Sequence, residues 1–259
     1  MTRFVRYRAG AHVAYGMQEG STITELEGSL FSHKPTAIRR KLEDVRLLYP
    51  CTPGKVLAVG RNFKSHFGDR PHPKRPELFY KPISCLLDPD APIIHPADAT
   101  DVHHEGELVL VIGKRLRRAS KEEAKEAIFG VTCGNDVSER QWQMGPEKDI
   151  QWWRAKGCDT FGPIGPAIVT GLNPDNLRLT VRLNGNIVQD QNTADFIYDS
   201  ATMVSFASRY VTIEQGDIIF TGTPGTTLAM KPGDVVEVEI EGIGILRNPI
   251  AAEGDLANL

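Results

Sequence analysis

Long apolar runs are missing from this chain of 259 residues, which argues against a membrane span. The opening residues, MTRFVRYRAG, contain no apolar stretch of the kind that makes a secretory signal. A basic block is missing too: 30 Lys+Arg against 33 Asp+Glu leave a formal charge of -3, so nucleic acid is not an expected partner. Four cysteines, at 51, 85, 133 and 158, show no CxxC spacing, which speaks against a thiolate zinc site. Scattered in a chain of this length they read as reduced thiols, and the expected location is the cytoplasm. Internal repeats, low-complexity tracts and the βαβ alternation of a Rossmann fold are also lacking. What remains, with 41% hydrophobic and 24% charged residues, is the composition of a globular protein with a sizeable core.

The sequence reads as α+β and strand-rich. Short strand-like runs at Arg3–Tyr7, Val13–Met17 and Thr22–Leu26 alternate with glycine and suggest a small antiparallel element. A short helix is expected over Pro35–Leu42, because proline suits a first helical turn. The Pro- and Gly-containing stretch Tyr49–Gly54 reads as a linker, which divides a small N-terminal region, 1–52, from a main domain, 53–259. Buried strands are expected at Val56–Val59 and Glu107–Ile112, and further strands at Asp217–Thr221 and Val235–Ile240. Ser120 and Glu123 form a capping box that opens a helix to about Ile128. Asn184-Gly185 marks a hairpin, and Ala201–Tyr210 has helical spacing. The polar segment Gly68–Pro76 reads as an exposed loop or lid.

The chemistry concentrates in HHEGELVLVIG. On a strand, Glu105 and Glu107 project from one face, where two like charges repel unless a cation lies between them. Gly106 between them permits a close approach of backbone or ligand. The same pattern also suits a solvated strand end. Asp136, after the apolar run Ile128–Val131, is either a third carboxylate of the set or a helix N-cap. An all-oxygen site of this kind suits Mg²⁺, Mn²⁺ or Ca²⁺ better than zinc. Arg140, Gln143 and Lys156 follow, and together they could hold an anionic ligand against a metal.

These residues carry a resemblance. The chain resembles the fumarylacetoacetate hydrolase family from about Val56 to about Arg247. The motifs are GRNF at 60–63 leading to His66, LFYKP at 78–82, HHEGELVLVIGK at 103–114 and NDVSERQWQ at 135–143. KGCDTFGPIGP at 156–166, the Asn-Gly hairpin at 184–185 and GDIIFTGTPGT at 216–226 complete the order. The resemblance implies a mixed β-sandwich roll with a few peripheral helices and a small N-terminal β region, assembled as a homodimer. It implies Mg²⁺ or Mn²⁺ held by Glu105, Glu107 and Asp136, with Arg140, Gln143, Lys156 and Thr223 lining a substrate site for 2-oxo or 1,3-diketo acids.

Such acids can chelate a divalent cation through adjacent oxygens, and the cation then acts as a Lewis acid. Lys156 and Arg140 suit the neutralisation of the ligand's carboxylate or of developing negative charge. In the hydrolases of the family a His paired with a Glu three residues later activates water. Here the pair is His66 and Asp69, with a shorter acid and with Gly68 disfavouring the helical turn that would join them. The leading expectation is hydrolysis of a C–C bond of the acylpyruvate or fumarylacetoacetate type. The alternatives are decarboxylation or isomerisation of a 2-oxo dioate or of oxaloacetate, and a metal-binding module without turnover. His66 as an ordinary loop histidine is the competing reading of that residue. His12, His33, His72 and His95 are expected at the surface, while Trp152 and Trp153 are expected to pack rather than to meet substrate.

Overall fold

The computed structural model describes residues 1–67 and 71–258, the side chains of 256–258 apart. The first four strands, Arg3–Ala9, His12–Glu19, Thr22–Ser29 and Ser32–Lys41, form an antiparallel meander. The meander does not stand alone. Its first strand pairs with Gly162–Val169, in the register Arg3↔Val169, and so joins a large mixed sheet. Beyond Gly162–Val169 that sheet continues through Ile128–Asn135, Gly106–Ile112, Ile218–Phe220 and Val56–Gly60 to an edge at Glu77–Lys81.

A second sheet of five strands runs Asn186–Asn192, Arg178–Leu183, Val235–Ile240, Gly244–Ala252 and Ile93–His95. It packs on the central strands, and this is why Glu107–Ile112 reads as an unbroken apolar run. Leu108, Leu110 and Ile112 face Val181, Val236 and Val238 of the second sheet in one core. Val109 and Val111 face the opposite core with Ile164, Ile168, Ile218 and Phe220. A strand covered on both faces gains from apolar residues at every position.

The helix expected over Pro35–Leu42 is absent; Ser32–Lys41 is a strand, followed by a 3₁₀ turn at Leu42–Asp44. It is the edge of the large sheet, where a proline removes no inner ladder hydrogen bond. Pairing with Thr22–Ser29, Pro35 opposite Leu26, therefore outweighed the first-turn preference. The other local signals hold. Ser120 and Glu123 close a reciprocal capping box on the helix Lys121–Ala127. Asn184 and Gly185 turn the hairpin with φ of 53° and 80°, the left-handed values such a two-residue turn requires. Asp199 caps the helix Ser200–Tyr210. Among the described residues no helix is long and apolar enough to cross a membrane.

Candidate active site

Strand pairing brings the three acids together. Glu105 directly precedes the strand Gly106–Ile112, and Asp136 directly follows its partner Ile128–Asn135. The Asp136 N–H donates to the Glu105 carbonyl at 2.9 Å, and the Glu105 N–H donates to Asn135 Oδ1 at 2.8 Å, which closes the end of the ladder. One carboxylate oxygen from each of Glu105, Glu107 and Asp136 lies within 4.8 Å of the others, and all three residues are buried. Asp136 is not a helix cap. The helix Arg140–Met144 is capped by Glu139, whose carboxylate accepts from the Trp142 N–H at 2.6 Å.

Gly106 lies against Val181 and Val238 of the second sheet. A Cβ there would stand 2.2 Å from Val181 Cγ2, so only glycine lets the second sheet close over the strand between the two glutamates. On the other side Gly222, with φ of 97°, donates its N–H to Glu107 Oε2 at 2.7 Å.

Three cations answer the acids. Lys156 Nζ lies 2.5 Å from Glu105 Oε2 and 2.7 Å from Asp136 Oδ2. Arg140 Nη1 lies 2.6 Å from Glu105 Oε1 and 2.6 Å from Gln143 Oε1. Lys81, its side chain fully enclosed, stands 2.7 Å from Asp136 Oδ1 and donates to the carbonyls of Lys156 and Phe161. Burial alone would raise the Glu105 carboxyl, but Lys156 and Arg140 outweigh it and bring it down to about 2. Burial is also the largest influence on Lys81 and would lower it, yet Asp136 and the other anions nearby hold it above the ordinary lysine value. Glu107 is the exception: burial, then Asp136 and Glu105, push its pKa well above that of an ordinary carboxyl.

A cavity of about 840 Å³ opens onto this cluster, with Glu105, Asp136 and Lys156 in its lining and Glu107 behind them. Arg140, Gln143 and Thr223 also line it, and so does His66. Thr223 Oγ1 donates to the Gly106 carbonyl at 3.0 Å, which fixes its loop against the acids. His66 ends a 3₁₀ turn, and its Nδ1 lies 2.7 Å from the Gly225 carbonyl. A carbonyl only accepts, so Nδ1 carries the hydrogen and Nε2 is the ring's acceptor atom in its neutral form. Asp69, expected beside His66, lies outside the described residues.

Several expectations about neighbouring residues shift. Trp152 packs against the core as expected, edge-on to Phe79 with ring centroids 5.4 Å apart, and also lines the cavity, whereas Trp153 is 69% exposed rather than packed. His33 and His95 are half-buried, each with Nδ1 on a carbonyl, of Leu30 and Pro96. His104 is fully buried, and burial lowers its pKa to about 4. Burial pushes the Cys51 and Cys133 thiols up to about 12, which leaves them unreactive. Sequence reasoning assigned no role to Lys81, Gly222 or Thr227. Lys81 is the one buried residue of the strand Glu77–Lys81, and a lysine so placed needs a buried anion.

A family model described as the fumarylacetoacetate (FAA) hydrolase C-terminal domain matches residues 55–251, and one described as Rv2993c-like, N-terminal, matches residues 2–50. The chain belongs to the fumarylacetoacetate hydrolase family. Its strand-rich α+β architecture is that of the family's solved structures. A crystal structure of 2-hydroxyhepta-2,4-diene-1,7-dioate isomerase from Mycobacterium marinum is 38% identical, with a TM-score of 0.91 over 98% of this chain and 100% of that one. The mitochondrial oxaloacetate tautomerase FAHD2A of Bos taurus is 37% identical over 246 residues, 90% of this chain and 77% of the relative. Maleylpyruvate hydrolase from Sphingobium sp. SYK-6, solved in complex with manganese(II) and pyruvate, is 27% identical. Its TM-score is 0.80, over 96% of this chain and 99% of that one. Members of this fumarylacetoacetate hydrolase family thus carry isomerase, tautomerase and hydrolase names, and this chain is an enzyme of that family.

Proposed function

We propose that the chain is a divalent-cation-dependent enzyme acting on 2-oxo or 1,3-diketo acids, with Glu105, Glu107 and Asp136 as the ligands of Mg²⁺ or Mn²⁺. The observation that carries this is the buried carboxylate trio, two members of which line a cavity that also presents Arg140 and Lys156. The donor set fits a hard cation: all oxygen, and with an oxygen spacing of the order of twice a Mg²⁺–O or Ca²⁺–O distance, which is about 2.0–2.6 Å. Glu107, raised in pKa and accepting from the Gly222 N–H, is the member with no direct ion pair among the described residues. When bound, the cation supplies Lewis acidity toward the ligand's adjacent oxygens. The manganese and pyruvate held by the Sphingobium protein support that choice of metal and ligand class.

The chain's own residues supply the remainder. Arg140, already fixed on Glu105 and Gln143, offers its other N–H groups to the substrate carboxylate. Lys156 keeps positive charge beside the acids and opposes negative charge that develops at the reacting centre. His66, which lines the cavity and whose Nδ1 lies 2.7 Å from the Gly225 carbonyl, is the residue that takes a proton.

That proton can come from carbon, giving keto–enol isomerisation, or from water, giving hydrolysis of a C–C bond as the sequence first suggested. Isomerisation is favoured by the higher likeness to the isomerase and the tautomerase, at 38% and 37%, than to the hydrolase, at 27%. Product analysis separates them: oxaloacetate, a 2-oxo dioate and an acylpyruvate are each incubated with the Mn²⁺-loaded protein. Accelerated enolisation without new acids supports isomerisation, whereas two organic acids from the acylpyruvate establish hydrolysis. Unchanged turnover in His66→Ala removes the proton-acceptor role of His66 in either case.

A further inference from the structure

His103 precedes the acids and has been given no part in the chemistry, yet it belongs to a closed circuit of hydrogen bonds around Arg140. Arg140 Nη2 donates to Thr227 Oγ1 at 2.7 Å. A guanidinium only donates, so the hydroxyl oxygen accepts here and its own hydrogen is directed elsewhere. His103 Nδ1 lies 2.8 Å from the same oxygen, and His103 Nε2 lies 2.9 Å from Asp101 Oδ1. With Nε2 donating to the carboxylate, Nδ1 of the neutral ring accepts from Thr227, and every donor in the series has one direction. The circuit closes through the backbone, because the Arg140 N–H donates to the Asp101 carbonyl at 2.9 Å.

We propose that His103 is a positioning residue: through Thr227 it holds the Arg140 guanidinium in the orientation that receives the carboxylate of an oxo acid. The proposal rests on the oxo-acid reading above. Arginine loses much rotamer freedom when it is fixed, and a circuit that fixes it in the fold moves that loss from binding to folding. Glu105 and Gln143 hold Nη1, so only Thr227 holds Nη2 among the described contacts, and His103 decides which way the Thr227 hydroxyl turns.

The test is a cycle of wild type, His103→Leu, Arg140→Leu and the double variant, loaded with Mn²⁺ and titrated with pyruvate by calorimetry. His103→Leu is expected to weaken pyruvate binding about tenfold and to raise KM for oxaloacetate alike, with kcat nearly unchanged, since the contact is the same in ground and transition states. His103→Asn, which keeps an acceptor near Nδ1, recovers most of the loss. Thr227→Val mimics His103→Leu, and Thr227→Ser behaves as wild type. With Arg140→Leu already present, His103→Leu adds nothing. A loss of equal size in that background, or a fall in kcat at constant KM, overturns the proposal. Wild type that neither binds pyruvate nor acts on oxaloacetate overturns the oxo-acid reading instead. The positional link is then read from the unfolding midpoints of the four proteins, where additive effects of the two substitutions overturn it.

Discussion

Glu107 accepts a hydrogen bond from the Gly222 N–H at 2.7 Å, and among the described residues no ammonium or guanidinium pairs with it. Glu105 and Asp136 beside it each have two cationic partners. Glu107 is thus the acid of the three that no ammonium or guanidinium contacts directly, and a divalent cation bound by the trio would supply that contact.

From this follows a dependence of stability on pH that is present without metal and suppressed with it. Burial and its neighbours raise the Glu107 pKa in the fold, so the folded state binds a proton that the unfolded chain releases near the ordinary carboxyl value. The favourable contribution is complete below that value and is lost as pH rises through the folded pKa. In chelator the melting temperature therefore falls as pH rises above the ordinary carboxyl range, and Mn²⁺ removes the fall by binding the ionised trio. Glu105, lowered to about 2, loses its contribution only as pH falls from its ordinary 4.5 toward 2, a separate window. Glu107→Gln should stabilise the chelated protein at high pH and abolish the gain from Mn²⁺. Identical pH profiles in chelator and in Mn²⁺ contradict the site.

Lys81→Met tests the enclosed ammonium. It leaves one oxygen of Asp136 without its partner, and breaking a buried pair of this kind costs about 3–5 kcal/mol in urea unfolding. Adding Asp136→Asn should return part of that stability while lowering Mn²⁺ affinity. A Lys81→Met protein as stable as wild type refutes the pairing.

Gly106→Ala inserts a methyl group against Val181 and should cost about 1–3 kcal/mol. Because φ at Gly106 is not left-handed, the clash is steric, and Gly106→Ala with Val181→Ala should recover part of the loss. Simple additivity of the two, read from denaturation midpoints, means that the sheets do not meet there.

Gly185→Ala makes the complementary case. Nothing lies within 4 Å of a Cβ at Gly185, but φ is 80°. The cost, about 1–2 kcal/mol, is conformational. Gly185→Asn, a residue that tolerates this region, should lose less than Gly185→Ala in the same thermal melts.

The sequence was most legible where a signal is local. The Ser120–Glu123 box, the Asn184-Gly185 turn and the helix ending at Tyr210 depend on neighbours a few residues apart, and each was readable without tertiary context. Pro35 misled because its meaning depends on whether its strand lies at an edge, and that is set by pairing with Thr22–Ser29. Lys81 lay in a recognised motif without a recognised role, since its partner Asp136 is 55 positions away along the chain.

By itself the sequence determined the family, through ordered motifs, and the kinds of side chain that could meet an oxo acid and a hard cation. Tertiary structure alone decided which acids are neutralised and by what. Antiparallel pairing of Gly106–Ile112 with Ile128–Asn135 sets Asp136 beside Glu105, and burial between two sheets makes every unpaired charge costly. It also decided that His103, unremarkable in the sequence, faces Thr227 and through it Arg140. Charge balance and hydrogen-bond direction are properties of distances between remote segments, and those distances exist only once the sheets have closed.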